Sequence, residues 1–352
     1  MTLFEFLARR FAWSLGVVWA VVSIAFVVNV LIPGDAARLV AGPQARPADV
    51  VHIREQLGLD RPPLVQYARF WARLVHVGPR ERPRERPRER GGDHTSCAVA
   101  IPLGRAAVHV DFGKSFQMRQ PVVDVIAERL PRTLALALAG MLLQLVFGAA
   151  TGVLAATYRG TWIDRGLVGM SLLGVSAPTF LIALVLQLVL ARELRWLPLD
   201  GYGTTLGEHA LCLVLPATTL GIYGAAYYTR LVRDEMITLL AADWVRTARA
   251  KGLSAPRVVL RHALRNALMP VVTAAGLDFG ALMGGAIVTE TVFRWPGLGQ
   301  LSVNAMLNRD SPVVSACVIV TSAAIVASNV VVDLLYGQLD PRVRDARAGG
   351  TR

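Results

Sequence analysis

Lysine is nearly absent from this 352-residue chain, Lys114 and Lys251 being the only two, and cysteine occurs just three times, at 97, 212 and 317. Charged residues amount to 18% and aromatics to 7%, against 54% hydrophobic residues and a mean hydropathy of +0.46. So little charge excludes an ordinary soluble domain, in which about a quarter of residues are charged. Three scattered cysteines exclude a disulfide framework and a cysteine-based metal site; Cys212 and Cys317 fall in apolar runs and read as small buried side chains. Catalytic signatures are missing too, with no His-Glu-x-x-His and no Gly-x-Ser-x-Gly. The Gly113-Lys114-Ser115 triplet lacks the glycine that a phosphate loop needs five residues earlier, where Val108 stands. Nothing marks an enzyme, an ATP site or a metal site in this chain.

The charge that is present has one sign in excess, 37 Lys and Arg against 25 Asp and Glu, a formal +12. Apolar and basic residues are therefore segregated. Charge-free windows cover 11–34, 133–158, 166–191, 209–229 and 311–332, each 21 to 26 residues long. A bilayer needs roughly 20 apolar residues per helix. A sixth window, 266–293, carries Asp278 and Glu290 but is otherwise apolar and rich in small residues. Six spans are predicted. The first follows Arg9 and Arg10, which invites a signal-peptide reading, but its apolar run from Phe11 to Ile32 exceeds a signal core and no clean cleavage site follows. It is read as an uncleaved anchor. Pro178 and Pro216 interrupt their spans and are candidates for kinks.

The connection between spans 4 and 5, residues 230–265, holds eight basic residues, while the connections on either side of it hold two each. Positive charge in short connections marks the cytoplasmic face, which puts this loop and both termini inside. The 98 residues from Asp35 to Arg132 carry 17 basic residues, yet long segments are translocated largely regardless of charge. That segment reads as extracytoplasmic. Within it, Val51 to Val75 has the pattern of a helix-turn-helix broken at Pro62 and Pro63. Three tandem Pro-Arg-Glu-Arg units, 79–90, cannot hold a helix or pack a core and read as a low-complexity insertion. The arginine excess gives no reason to invoke a nucleic acid.

The loop itself is patterned: ADWVRTARAKGLSAPRVVLRHALRNALMP. Asp243 is a candidate N-cap, Trp244 to Lys251 makes about two helical turns, and Gly252 suits the position after the helix end. Ser254 and Pro256 start a second helix, so the two meet at an elbow, Gly252 to Ser254. Charge for topology alone needs no capped geometry, whereas a knob that docks on a partner does. Elsewhere in the spans, Asp278 is an intramembrane acid that either faces a water-filled path, meeting an ammonium group, or pairs with a polar group of another subunit. Gln144 and Gln187 are polar candidates for that path, with interhelical hydrogen bonding the competing role. Gly148 with Gly152, and Gly280 with Gly284 and Gly285, are read as sites of close helix packing.

RTARAKGLS followed by LRHALRNALMPVVT resembles the cytoplasmic loop of ABC-transporter permeases of the dipeptide/oligopeptide/nickel class. LIPGDAA, LGLDRPPLVQY, DFGKSFQMRQPV, ETVFRWPGLGQL and VVDLLYGQLDPRVR are similar, in the same order, to other landmarks of that class. The resemblance implies an all-α integral membrane protein of the bacterial inner membrane with six transmembrane helices at 11–32, 133–157, 167–190, 209–229, 266–290 and 312–335. Residues 1–10 and 336–352 are then cytoplasmic, 33–132 extracytoplasmic, 133–335 the permease core and 230–265 its coupling loop. The implied function is a non-enzymatic subunit of an ATP-driven importer for di- or oligopeptides. Nickel or another small solute is the alternative cargo, and an ion-coupled secondary transporter the alternative class. The implied partners are a second permease, two ATPases that bind ATP and magnesium, an extracytoplasmic binding protein and the lipid bilayer. ATPase coupling falls on Arg246, Thr247, Ala248, Ala250, Lys251 and Gly252, with hinges at Ser254 and Pro270. Of the broad consensus for this loop, Ala248 and Gly252 agree, while Arg246 and Thr247 stand where it has Glu and Ala. An acidic contact is therefore not expected at position 246.

Overall fold

The computed structural model describes residues 3–31, 36–42, 44–79, 97–103 and 106–339. The Pro-Arg-Glu-Arg repeat after Pro79 and the tail after Leu339 lie outside the described residues. The chain divides into two compact units, one formed mainly by 132–299 with 324–352, the other by 8–131 with 300–323.

The second unit contains most of α1 (Leu3–Leu31), then α2 (Ala36–Ala41), α3 (Pro47–Leu57) and α4 (Pro63–Leu74). The helix-turn-helix forms where Gly58, at φ +67°, ends α3 and Pro62 and Pro63 open α4. One face of α4 is aromatic and lies on α1: the Phe26 ring sits 5.3 Å from that of Tyr67 and 5.5 Å from that of Phe70, and the Tyr67 and Ser23 hydroxyls are 2.7 Å apart. A three-stranded antiparallel sheet follows, which the all-helical reading of the sequence did not contain. Its strands are β1 (Val75–Pro79), β2 (Cys97–Leu103) and β3 (Ala106–Asp111), ordered β1-β3-β2, with Val75 opposite Val110 and Leu103 opposite Ala106. Short runs such as AVAIPL and AAVHVD are ambiguous between strand and buried helix by periodicity alone. Their pairing decides the matter.

The DFGKS segment after β3 is held by a buried carboxylate far along the chain. Asp310 precedes α14 (Ser311–Leu339) and is 1% exposed. It accepts the Ser115 hydroxyl and the backbone N–H groups of Phe116 (3.1 Å) and Gln117 (3.2 Å). The serine that invited a phosphate-loop reading is thus a structural donor. Replacing Asp310 by Ala leaves three donors without their acceptor at a cost of about 3 kcal/mol. The expected result is faster limited proteolysis within 111–121, with Asp310→Asn intermediate because it keeps one acceptor oxygen.

The larger unit is helical: the rest of α5 (Val122–Thr157), α6 (Trp162–Ser176), α7 (Thr179–Leu186) with a π-helical extension (Gln187–Glu193), α8 (Leu206–Leu240), α9 (Asp243–Ala250), α10 (Ala255–Arg257), a π-helical turn (Val258–Ala263), α11 (Leu264–Gly285) and α12 (Ile287–Val292). Between α12 and α14 lies α13 (Leu298–Leu307). Among the described residues, Val122–Thr157, Leu206–Leu240, Ala255–Met283 and Ser311–Val331 are each long and apolar enough to cross a membrane. The apolar stretch of α1, Ala12–Val28, is shorter. The window expected as one span at 167–190, with Pro178 a candidate for a kink, is two helices, Trp162–Ser176 and Thr179–Glu193, bent by 106°. The bend falls at Pro178, the N-cap of α7, where the preceding Ala177 takes the extended conformation that a following proline favours. Pro216, by contrast, is accommodated inside α8 without a break.

Glycines set the distance between α5 and α8. A Cβ on Gly148 would sit 2.4 Å from the Cβ of Tyr228, and one on Gly152 2.7 Å from the Thr229 carbonyl oxygen. The core beside this seam is built from Met141, Val153, Tyr228, Val232, Met236, Ala267 and Val271.

Candidate functional site

Helix α9 is short, amphipathic and anchored by one face. Val245 is 2% exposed and Trp244 packs, partly buried, on the core of the larger unit. The opposite face presents Arg246, Thr247, Ala250 and Lys251 to solvent, with Ala248 half-buried between the two. The N-cap is Ala242, in extended conformation and without a side-chain cap, and not Asp243 as the sequence predicts. Asp243 sits in the first turn instead, where its charge still opposes the helix dipole, and lies 3.8 Å from Arg246. The Thr247 hydroxyl donates to the Asp243 carbonyl at 3.3 Å.

The helix ends in a Schellman motif. Gly252 adopts φ +81°, its N–H donates to Arg249 O at 2.9 Å, and the Leu253 N–H donates to Ala248 O at 3.2 Å. Ser254 then caps α10 by conformation alone, with Pro256 in its first turn and no side-chain bond. The elbow at 252–254 therefore forms as the residue types require. Beyond it, α11 runs unbroken through Pro270, and the irregular turn lies earlier, at Val258–Ala263.

Two of the three candidate path residues come together. Gln144 Nε2 donates to Asp278 Oδ2 at 2.5 Å, and the Tyr228 hydroxyl donates to the same oxygen at 3.2 Å. Gln144 and Tyr228 are buried while Asp278 is partly exposed. Asp278 is thus hydrogen-bonded within its own chain, by α5 and α8. Gln187 stands apart from this group. Its amide donates to the Leu199 carbonyl at 3.0 Å and the Val292 carbonyl at 3.5 Å, so it fastens the loop after α7 to α12. Sequence reasoning missed Tyr228, which carries no signal beyond being one of several tyrosines in its span.

It also passed over Glu290, which is fully buried and accepts the Thr133 hydroxyl at 2.7 Å. Thr133 Oγ1 in turn accepts the Leu298 N–H at 2.7 Å, and Trp295 Nε1 donates to Arg132 O at 3.0 Å. The ETVFRWPGLGQL stretch is a folded corner around these bonds. Gly297 and Gly299 are required there, because a Cβ on either would come within 3 Å of the Glu290 carboxylate.

Helices this long and apolar are those of a membrane protein. The family model for the binding-protein-dependent transport system inner membrane component matches residues 148–345, and that for the N-terminal part of such components matches 3–83. A protein of Brucella abortus (strain 2308) named as a peptide transport system permease is 38% identical over 339 residues, 96% of this chain and 98% of that protein. The glutathione transport system permease protein GsiC of Escherichia coli (strain K12) is 39% identical over 326 residues, 91% of this chain and 94% of that protein. An inward-facing structure of the MetNI methionine ABC transporter has a TM-score of 0.48 at 19% identity, over 61% of this chain and 97% of that one. The chain belongs to the family of binding-protein-dependent transport system inner membrane components. It is a multi-pass membrane permease of an ABC importer, and in such systems ATP is hydrolysed by separate subunits.

Proposed function

We propose that the chain is the permease subunit of an importer for di- or oligopeptides, paired with a second permease, driven by two ATPase subunits and fed by an extracytoplasmic binding protein. The observation that carries the coupling half of this reading is α9: two turns held by Val245 and Trp244, with the opposite face exposed and the exit fixed by Gly252. Eight residues span about 12 Å, enough to fill a groove on a partner. Arg246, Thr247, Ala248, Ala250, Lys251 and Gly252 form the docking face and its stop. Ala and Gly permit close approach, and Lys251 offers a charge. Motion of the ATPases then enters α8 and α11 through the elbow, with Ser254 and Pro270 flanking the irregular turn. In this reading α1 and the bent α6–α7 pair complete six membrane elements, and both termini are cytoplasmic.

The substrate half rests on the relatives, one named for peptides and one for glutathione, itself a tripeptide. Asp278 with Gln144 is the polar group that the path would use, its carboxylate suited to a peptide ammonium. Nickel uptake is the competing outcome. The test is uptake of a labelled dipeptide, glutathione and nickel by cells with and without this gene. Loss of dipeptide or glutathione uptake, with nickel uptake unchanged, is the expected result; the reverse pattern refutes the peptide assignment.

A further inference from the structure

By sequence, Arg233 is one of the eight cations that orient the loop between spans 4 and 5. The structure uses it internally. Its Nε donates to Asp164 Oδ1 at 2.7 Å and its Nη2 to Asp164 Oδ2 at 2.9 Å, the parallel fork that guanidinium and carboxylate form at their best geometry. Asp164 is 4% exposed and also accepts the Gly160 N–H at 2.9 Å, while Arg233 reaches Asp234 at 3.2 Å. One carboxylate thus joins the turn before α6, the first turn of α6, and α8.

The places of the two residues matter more than the strength of the bond. Arg233 stands about two turns before α8 ends at Leu240, immediately ahead of α9. Asp164 opens α6, whose far end turns 106° into α7. Near that far end α6 touches α8 again, since a Cβ on Gly174 would lie 3.3 Å from the Ala226 Cβ. Held at both ends, α6 lies antiparallel along α8. A plain stabilising contact needs no charge, because well-packed apolar side chains serve as well as a buried ion pair or better. A bidentate fork adds something that apolar packing lacks, namely a fixed register and rotation of one helix on the other.

We propose that Asp164 and Arg233 are positioning residues of the transport cycle. They make α6 move as one body with the α9-bearing end of α8, so that a displacement of α9 reaches the bend between α6 and α7. This rests on α9 being the docking helix, and the experiment separates the two.

The complete complex, with its second permease, ATPases and binding protein, is placed in proteoliposomes, and uptake of a labelled dipeptide and ATP hydrolysis are measured in the same vesicles. The variants are Asp164→Asn, Arg233→Lys, and the apolar double replacement Asp164→Leu with Arg233→Met. The expected result is normal assembly and continued hydrolysis, with dipeptide transported per ATP falling about tenfold, in the double replacement as in the single ones. An unchanged ratio in the assembled double variant overturns the proposal. So does a loss of uptake and hydrolysis in simple proportion to lost complex, which is the mark of a merely structural pair. Gly252→Pro in the same vesicles separates the two: near-normal uptake by that variant overturns the reading of α9, whatever the Asp164 and Arg233 variants do.

Discussion

Gly252→Pro is expected to bring ATP-driven uptake to background while the chain still inserts and assembles with its partners. Gly252 holds φ +81° and donates its N–H to Arg249 O at 2.9 Å. Proline fixes φ near −65° and has no N–H, so it excludes both features at a cost of about 3 kcal/mol. That cost falls on an exposed elbow whose glycine has no neighbouring atom within 4 Å of a would-be Cβ, so no core packing is disturbed. What changes is the direction in which the chain leaves α9, and with it the path from the docking face into α11. Gly252→Ala meets no clash but carries the left-handed penalty of about 1 kcal/mol and should be intermediate. Gly252→Asn, which tolerates that conformation, should be close to the parent. Uptake by reconstituted complex, normalised to assembled permease, orders the variants. Near-normal uptake by the proline variant would remove the elbow from the mechanism.

Gly152→Val has an equally large expected effect for a different reason: folded permease should fail to accumulate. A Cβ at this position would meet the Thr229 carbonyl oxygen at 2.7 Å and the Val232 Cβ at 2.8 Å. The first of these is backbone and cannot rotate away. The side chain must push α5 from α8, opening the seam that also carries the Thr151–Thr229 hydroxyl contact at 2.6 Å, for about 3 kcal/mol or more. Gly166→Ala is the contrast, a helical glycine with nothing within 4 Å, and should accumulate at the parent level or above it. Quantifying membrane-inserted protein by detergent extraction and size-exclusion profile tests both. A normal profile for Gly152→Val would show that the seam tolerates separation.

Much of the architecture was legible because its signals are local. A charge-free run of 20 or more residues announces a membrane helix whatever surrounds it. The stop at Gly252 and the restart at Ser254-Ala255-Pro256 are matters of backbone conformation within a few residues, which explains why α9 and its elbow fell close to where they were expected. The N-cap moved from Asp243 to Ala242 because a conformational cap needs no side-chain acceptor and the first turn suits a carboxylate as well. Harder to read were the three strands, each of five to seven residues and stable only as a sheet. Harder still was the break at Pro178, since Pro216 presents the same local signal inside a helix that continues.

By itself the sequence determined that this is a membrane protein, and where its apolar runs and the short glycine-stopped helix between two of them lie, because these depend on composition and on contacts a few residues apart. Only the tertiary structure decided which polar groups meet. Gln144 and Asp278 are 134 residues apart, Thr133 and Glu290 157, Asp164 and Arg233 69, and Ser115 and Asp310 195. Whether such groups pair depends on how each helix is rotated and how closely it approaches its neighbour, which glycines at the contact and the burial of apolar faces determine jointly. A cation that looks like a topology signal becomes one half of an internal fork, and a serine in an apparent nucleotide motif becomes a donor to a buried carboxylate. Those distinctions have no local signature, because the energy that makes them is long-range packing.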